Sequence, residues 1–124
     1  MSLARILLLA QICILAGFGL AYLLRPHEMS NLSGLLPLAP SAVTDVRAWY
    51  GGLPLGLALY LLLALREAQL RTALLLLLVL YGALALTRLL GLFLDGGAQQ
   101  TFNLYALLFE AVSAALAWAA RRRL

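Results

Sequence analysis

Two side chains in this sequence stand where a charge is costly: Arg88, within the apolar run from Arg71 to Gly97, and Glu110, within the last apolar run. A charge at the centre of a membrane helix costs roughly 2.5–3.5 kcal/mol on insertion scales, so it turns toward a counter-ion or a wet cavity instead of lipid. Glu110 is the only acidic residue inside another apolar run, and the two are expected to meet. Such a pair serves either as a site for a small polar or anionic group or as a lock that fixes which helices associate. Tyr81, Arg88 and Asp95 recur every seven residues and so share one helix face. Asn103, Ala106, Glu110, Ser113, Ala114 and Ala117 recur at three- and four-residue intervals, a polar and small stripe that should face protein, because lipid cannot hydrogen-bond it. Arg47 and Tyr50 complete the expected cluster, with Arg47 the rival partner of Glu110. The ligand-binding or structural candidates are thus Arg47, Tyr50, Tyr81, Arg88, Asp95, Asn103 and Glu110.

No catalytic residue is assigned. The chain holds no nucleophile elbow, no phosphate-cradling glycine loop and no metal-ligand spacing. Cys13 and His27 are each the only residue of their type, which leaves no internal disulfide, no cysteine metal cluster and no paired histidines for a haem or zinc. We expect no cofactor and no metal.

The elements that must position these residues follow from composition. Of 124 residues, 65% are hydrophobic and 11% charged, against about a quarter charged in soluble domains. The chain reads as an all-α integral membrane protein, a single antiparallel four-helix bundle with helices at about 3–24, 44–66, 71–95 and 99–120 and an outer loop at 25–43. The first apolar run, Ile6 to Leu24, exceeds the apolar core of about 7–15 residues found in signal peptides, so it reads as an uncleaved span. Pro26 ends it. Asn31-Leu32-Ser33-Gly34 forms a turn, and Ser41 or Thr44 caps the second helix. In that helix Trp49 and Tyr50 sit at interface depth, and Pro54 frees the Tyr50 carbonyl and kinks the chain.

Small residues at four-residue spacing allow close helix approach. Cys13, Gly17 and Ala21 form one such face, and Ala48, Gly52 and Gly56 another, with Gly51-Gly52 a close-packing point. The expected packing glycines are Gly17, Gly51, Gly52 and Gly56. The third helix stops at Asp95-Gly96-Gly97. Counted from the outer helix ends at Leu94 and Gln99, Arg88 and Glu110 lie roughly 9 and 16 Å deep at about 1.5 Å per residue, a gap that an arginine side chain can just bridge.

All nine basic residues are arginine, a bias that points to a bacterial chain. With both termini cytoplasmic, Arg5, Arg66, Arg71 and Arg121 to Arg123 lie inside against Arg25 and Arg47 outside, as the positive-inside rule requires. The net charge of +4 owes most to Arg121–Arg123, which suit anionic headgroups. Three arginines are too few for a nucleic-acid face. The expected partners are the bilayer, a membrane protein or a second copy of the chain, and a lipid or quinone.

DVRAWYGGLPLGLAL on helix two, TRLLGLFLDGG closing helix three and the lone glutamate of helix four together resemble the bacterial four-helix membrane family catalogued as domain of unknown function 4345. The resemblance covers nearly the whole chain. It implies that Arg47, Tyr50, Gly51, Gly52, Arg88, Gly91, Asp95, Gly96 and Glu110 are signature positions, and it carries no assigned activity. More distantly, the layout is similar to small four-helix DoxX-type proteins. With no reactive group evident, the expected role is a non-catalytic accessory or scaffold subunit of a membrane complex. The alternative is binding of a lipid or quinone headgroup near Arg47, Arg88 and Glu110.

Overall fold

The computed structural model describes residues 1–96 and 100–124. Among the described residues there are six α-helices: α1 Leu3–Leu24, α2 Pro26–Asn31, α3 Pro40–Val46, α4 Leu53–Arg66, α5 Leu70–Leu94 and α6 Thr101–Arg122. No strand occurs among the described residues. Four continuous helical stretches, Leu3–Leu24, Pro40–Arg66, Leu70–Leu94 and Thr101–Arg122, are long and apolar enough to cross a membrane, where about 20 apolar residues are needed. The protein is therefore an all-α, multi-pass membrane protein. The chain divides into two compact units, Leu8–Glu67 and Met1–Leu7 with Ala68–Leu124.

In the Leu8–Glu67 unit the expected loop 25–43 is shorter and more ordered than its composition implied. Pro26 stands at the start of α2, with Arg25 outside the helical conformation before it (φ −135°, ψ 66°), and the Asn31–Gly34 turn follows with Gly34 at φ +82°. The second span begins at Pro40, ahead of the expected 44, and neither Ser41 nor Thr44 caps it. The residue before the helix is Ala39, extended and without a side-chain cap. Proline at the first helical position has its φ already set and lacks the N–H that would need a cap.

Between α3 and α4 the helix widens into a π-helical turn, Arg47–Gly52, in which the Leu53 N–H reaches back five residues to the Ala48 carbonyl. Such turns insert an extra residue into the helical ladder, and this one directly precedes Pro54. The insertion changes which glycine faces the neighbouring helix. A Cβ on Gly51 would lie 3.2 Å from the Gly19 carbonyl oxygen and the Leu23 nitrogen, and one on Gly19 would lie 2.9 Å from the Gly51 oxygen and 2.7 Å from Leu55 Cγ. Gly52 is exposed, with only the Arg47 oxygen at 3.8 Å from its added Cβ, and Gly17 and Gly56 have nothing within 4 Å. The expected packing role thus holds for Gly51 and fails for Gly17, Gly52 and Gly56. Four-residue spacing was counted on a regular α-helix, and the π turn breaks that count. The contacts Leu23 with Arg47, Tyr22 with Tyr50 and Gly19 with Leu55 run in opposite chain senses, so α1 and the second span lie antiparallel.

In the other unit, α5 ends at Leu94, and Gly96 takes φ +81°, the left-handed conformation that glycine adopts at little cost. Gly97, the rest of the expected stop, and Gln99, the expected start of the last helix, lie outside the described residues. On α6 the buried residues are Glu110, Ser113, Ala117 and Ala120, the polar and small stripe seen in the sequence. Helix α6 packs against α5, whose buried residues include Ala73, Leu74, Leu77 and Tyr81. Tyr81 meets Phe109 edge-on at 5.6 Å between ring centroids, and Arg121 Nε donates to the Arg71 carbonyl at 3.4 Å. Arg122 lies 4.7 Å over the Trp118 ring, a pairing suited to the membrane interface, where amphipathic rings collect.

Candidate functional site: an ion-paired groove between α5 and α6

Arg88 projects from α5 into a bidentate pair with Glu110 of α6. Its Nε donates to Oε1 at 2.7 Å and its Nη2 to Oε2 at 2.8 Å. Its Nη1 donates to Asn103 Oδ1 at 2.6 Å, and Asn103 Nδ2 in turn donates to Gln100 Oε1 at 2.7 Å. The polar stripe of α6 therefore supplies the network in order: Gln100 at the helix entrance, Asn103 one turn in, Glu110 two turns deeper. Paired forks of this kind are among the stronger hydrogen bonds a protein makes. The glutamate side chain is 6% exposed and the arginine 26%, so the carboxylate is the sealed end of the pair and the guanidinium faces outward.

What it faces is a groove of about 270 Å³ lined by Leu84, Thr87, Arg88, Gly91 and Asp95 from α5 and by Gln100 and Asn103. The α5 residues recur at three- and four-residue steps along one helix face. The Thr87 hydroxyl donates back to the Ala83 carbonyl at 2.8 Å. Asp95 is exposed, and its carboxylate folds back over the preceding turn, with Oδ2 3.7 Å from the point where a Gly91 side chain would begin. Gly91 keeps the floor between Arg88 and Asp95 open.

The contacts of Tyr81, Arg88, Asp95, Asn103 and Glu110 thus gather on α5 and α6, as the shared faces suggested. Arg47 and Tyr50 make theirs within the Leu8–Glu67 unit. Both oxygens of Glu110 accept from Arg88, and Arg47 Nη1 donates to the Leu23 carbonyl at 3.1 Å. The reason is local: α1 stops before Pro26, and carbonyls in its last turn lack intrahelical donors. Tyr50 stacks on Tyr22 with centroids 5.2 Å apart. Sequence reasoning missed Gln100, Gly19 and Tyr22. Gln100 was legible as a polar side chain one turn before Asn103. Gly19 and Tyr22 were hidden by the unforeseen π turn.

Among the described residues no group of three or more His, Cys, Asp or Glu could hold a metal ion. The arrangement can bind through hydrogen bonds and charge. A nucleophile beside a general base, the arrangement covalent chemistry requires, is not part of it.

A family model with the description Domain of unknown function (DUF4345) matches residues 3–121. No curated protein and no solved structure matches the chain, so the more distant likeness to DoxX-type proteins gains no support.

Proposed function

The chain belongs to the DUF4345 family, and for it we propose a non-catalytic role in the bacterial inner membrane: holding the polar end of a small amphipathic molecule, such as a lipid or quinone, in the α5–α6 groove. The observation that carries this reading is the groove's lining. It passes from apolar Leu84 to polar Arg88 and Asp95 along α5, with Asn103 and Gln100 contributed from the start of α6, matching a molecule with an apolar tail and a polar head. Binding sites of this kind combine apolar surface with a few placed polar groups.

The test fills the groove without touching the ion pair. Gly91→Leu puts a side chain on the groove floor, where its Cβ would meet the exposed Asp95 carboxylate at 3.7 Å, an ordinary contact. We expect the purified variant to stay folded and to lose any amphiphile that the wild-type protein retains, read by native mass spectrometry. Equal retention by both would overturn the reading. A second reading, an accessory or scaffold subunit, is favoured by Gly52 and Gly56, which lie exposed one helical turn apart and leave room for a partner helix. A stoichiometric protein, retained by Gly91→Leu and lost on Gly56→Leu, would support it.

Both termini are placed on the cytoplasmic side, on the distribution of arginines. In a Cys13→Ser background, Ser33→Cys and Ala68→Cys, both at exposed positions, are expected to label from outside and inside respectively with a membrane-impermeant maleimide. The reverse pattern would invert the topology.

A further inference from the structure

We propose that the groove selects a zwitterionic phospholipid headgroup bearing a primary ammonium, the phosphoethanolamine type, over an anionic one. This rests on the groove reading above and names its ligand class. The charges near the groove are Arg88, its partner Glu110, and Asp95. One cation and two carboxylates leave a formal balance of one negative charge, which suits an ammonium and opposes a purely anionic head. The order along α5 is as informative as the sum. From the apolar interior toward the helix end the lining runs Leu84, then Arg88, then Asp95. In such a phospholipid, from tail to surface, the order is acyl chain, phosphate, ammonium. The two sequences are complementary position by position: chain on Leu84, phosphate beside the outward-facing guanidinium, ammonium at the Asp95 carboxylate.

Spacing agrees. The Asp95 carboxylate folds back beside Gly91, which is three residues, or about 4.5 Å of helix, above Arg88. Along α5 the backbone levels of Arg88 and of the Asp95 carboxylate thus differ by about one helical turn, the scale of the two-carbon link between phosphate and ammonium. A primary ammonium can also donate hydrogen bonds to the carboxylate, where a trimethylammonium cannot. Gln100 and Asn103 offer amide groups at the same level.

The experiment titrates detergent-solubilised full-length protein with dioleoyl phosphatidylethanolamine, dioleoyl phosphatidylglycerol and free phosphoethanolamine, with bound fractions read by native mass spectrometry. The wild type is expected to prefer the ethanolamine lipid by about ten-fold, roughly the effect of one modest charge contact, and to bind free phosphoethanolamine weakly, because the tail contact on Leu84 is missing. Asp95→Asn is expected to bring the two lipids to parity. Equal or tighter binding of the glycerol lipid by the wild type, or a preference that survives Asp95→Asn, would overturn the proposal. Gly91→Leu separates the two levels of argument. If it displaces both lipids while the wild type fails to discriminate, the groove is a site and only the headgroup assignment falls. If it displaces neither, the groove itself is not the site. Free phosphoethanolamine binding as tightly as the lipid would identify a soluble zwitterion as the ligand and overturn the lipid assignment.

Discussion

Glu110→Leu and Arg88→Leu are each expected to destabilise the protein by about 3–5 kcal/mol, the usual cost of leaving one member of a buried ion pair alone. The two losses should differ in character. Glu110 is buried and accepts two hydrogen bonds from Arg88, so removing it leaves a guanidinium that still donates to Asn103. That cation is partly exposed toward the groove and can recover hydration, which should hold the loss near the lower end of the range. Removing Arg88 leaves the carboxylate at the sealed end of the site, where water does not reach, and the loss should approach the upper end. Reversible unfolding in mixed micelles, monitored by circular dichroism, reads both. Losses below about 1 kcal/mol in both variants would place the pair among exposed salt bridges, which contribute little.

Gly19→Ala is expected to be the most damaging of the alanine substitutions at Gly19, Gly51 and Gly56 in the Leu8–Glu67 unit. The added Cβ would stand 2.9 Å from the Gly51 carbonyl oxygen and 2.7 Å from Leu55 Cγ. Leu55 can change rotamer, but the carbonyl belongs to a helix backbone, so α1 and the second span must separate. Overpacking of this kind costs about 1–3 kcal/mol. Gly51→Ala meets Gly19 and Leu23 backbone atoms at 3.2 Å, a tight contact that a small shift relieves, and should cost less. Gly56→Ala meets nothing within 4 Å and is expected to be neutral or to gain up to about 1 kcal/mol from helix propensity. Thermal unfolding in one detergent orders the three variants. Equal effects at Gly19 and Gly56 would contradict the close approach of the two backbones.

The spans were legible because apolar runs of about twenty residues permit few alternatives in a membrane. Arg88 and Glu110 were legible for a related reason: an intramembrane charge must find a partner, and each run offered few. The seven-residue spacing likewise put Arg88 and Asp95 on one helix face, and both line the groove. The errors concentrate at Arg47–Gly52. A π turn keeps the composition of a helix while changing its period, so counting by four added Gly52 and Gly56 to the expected contact beside Gly51 and left out Gly19, the residue that Gly51 meets. The acceptor of Arg47 was illegible for a different reason: a backbone carbonyl at a helix end, here that of Leu23, has no sequence signature, whereas a glutamate does.

The central claim is that Arg88 and Glu110 act as one unit that joins α5 to α6 and borders the groove. The measurement that tests it most directly is the coupling energy from the cycle of wild type, Arg88→Leu, Glu110→Leu and the double variant, obtained by unfolding under one condition. Because a well-packed apolar pair can replace a buried ion pair at little net cost, the double variant is expected to recover most of the stability that either single change removes. Additive losses, with the double variant as unstable as the sum of the two, would contradict the pairing.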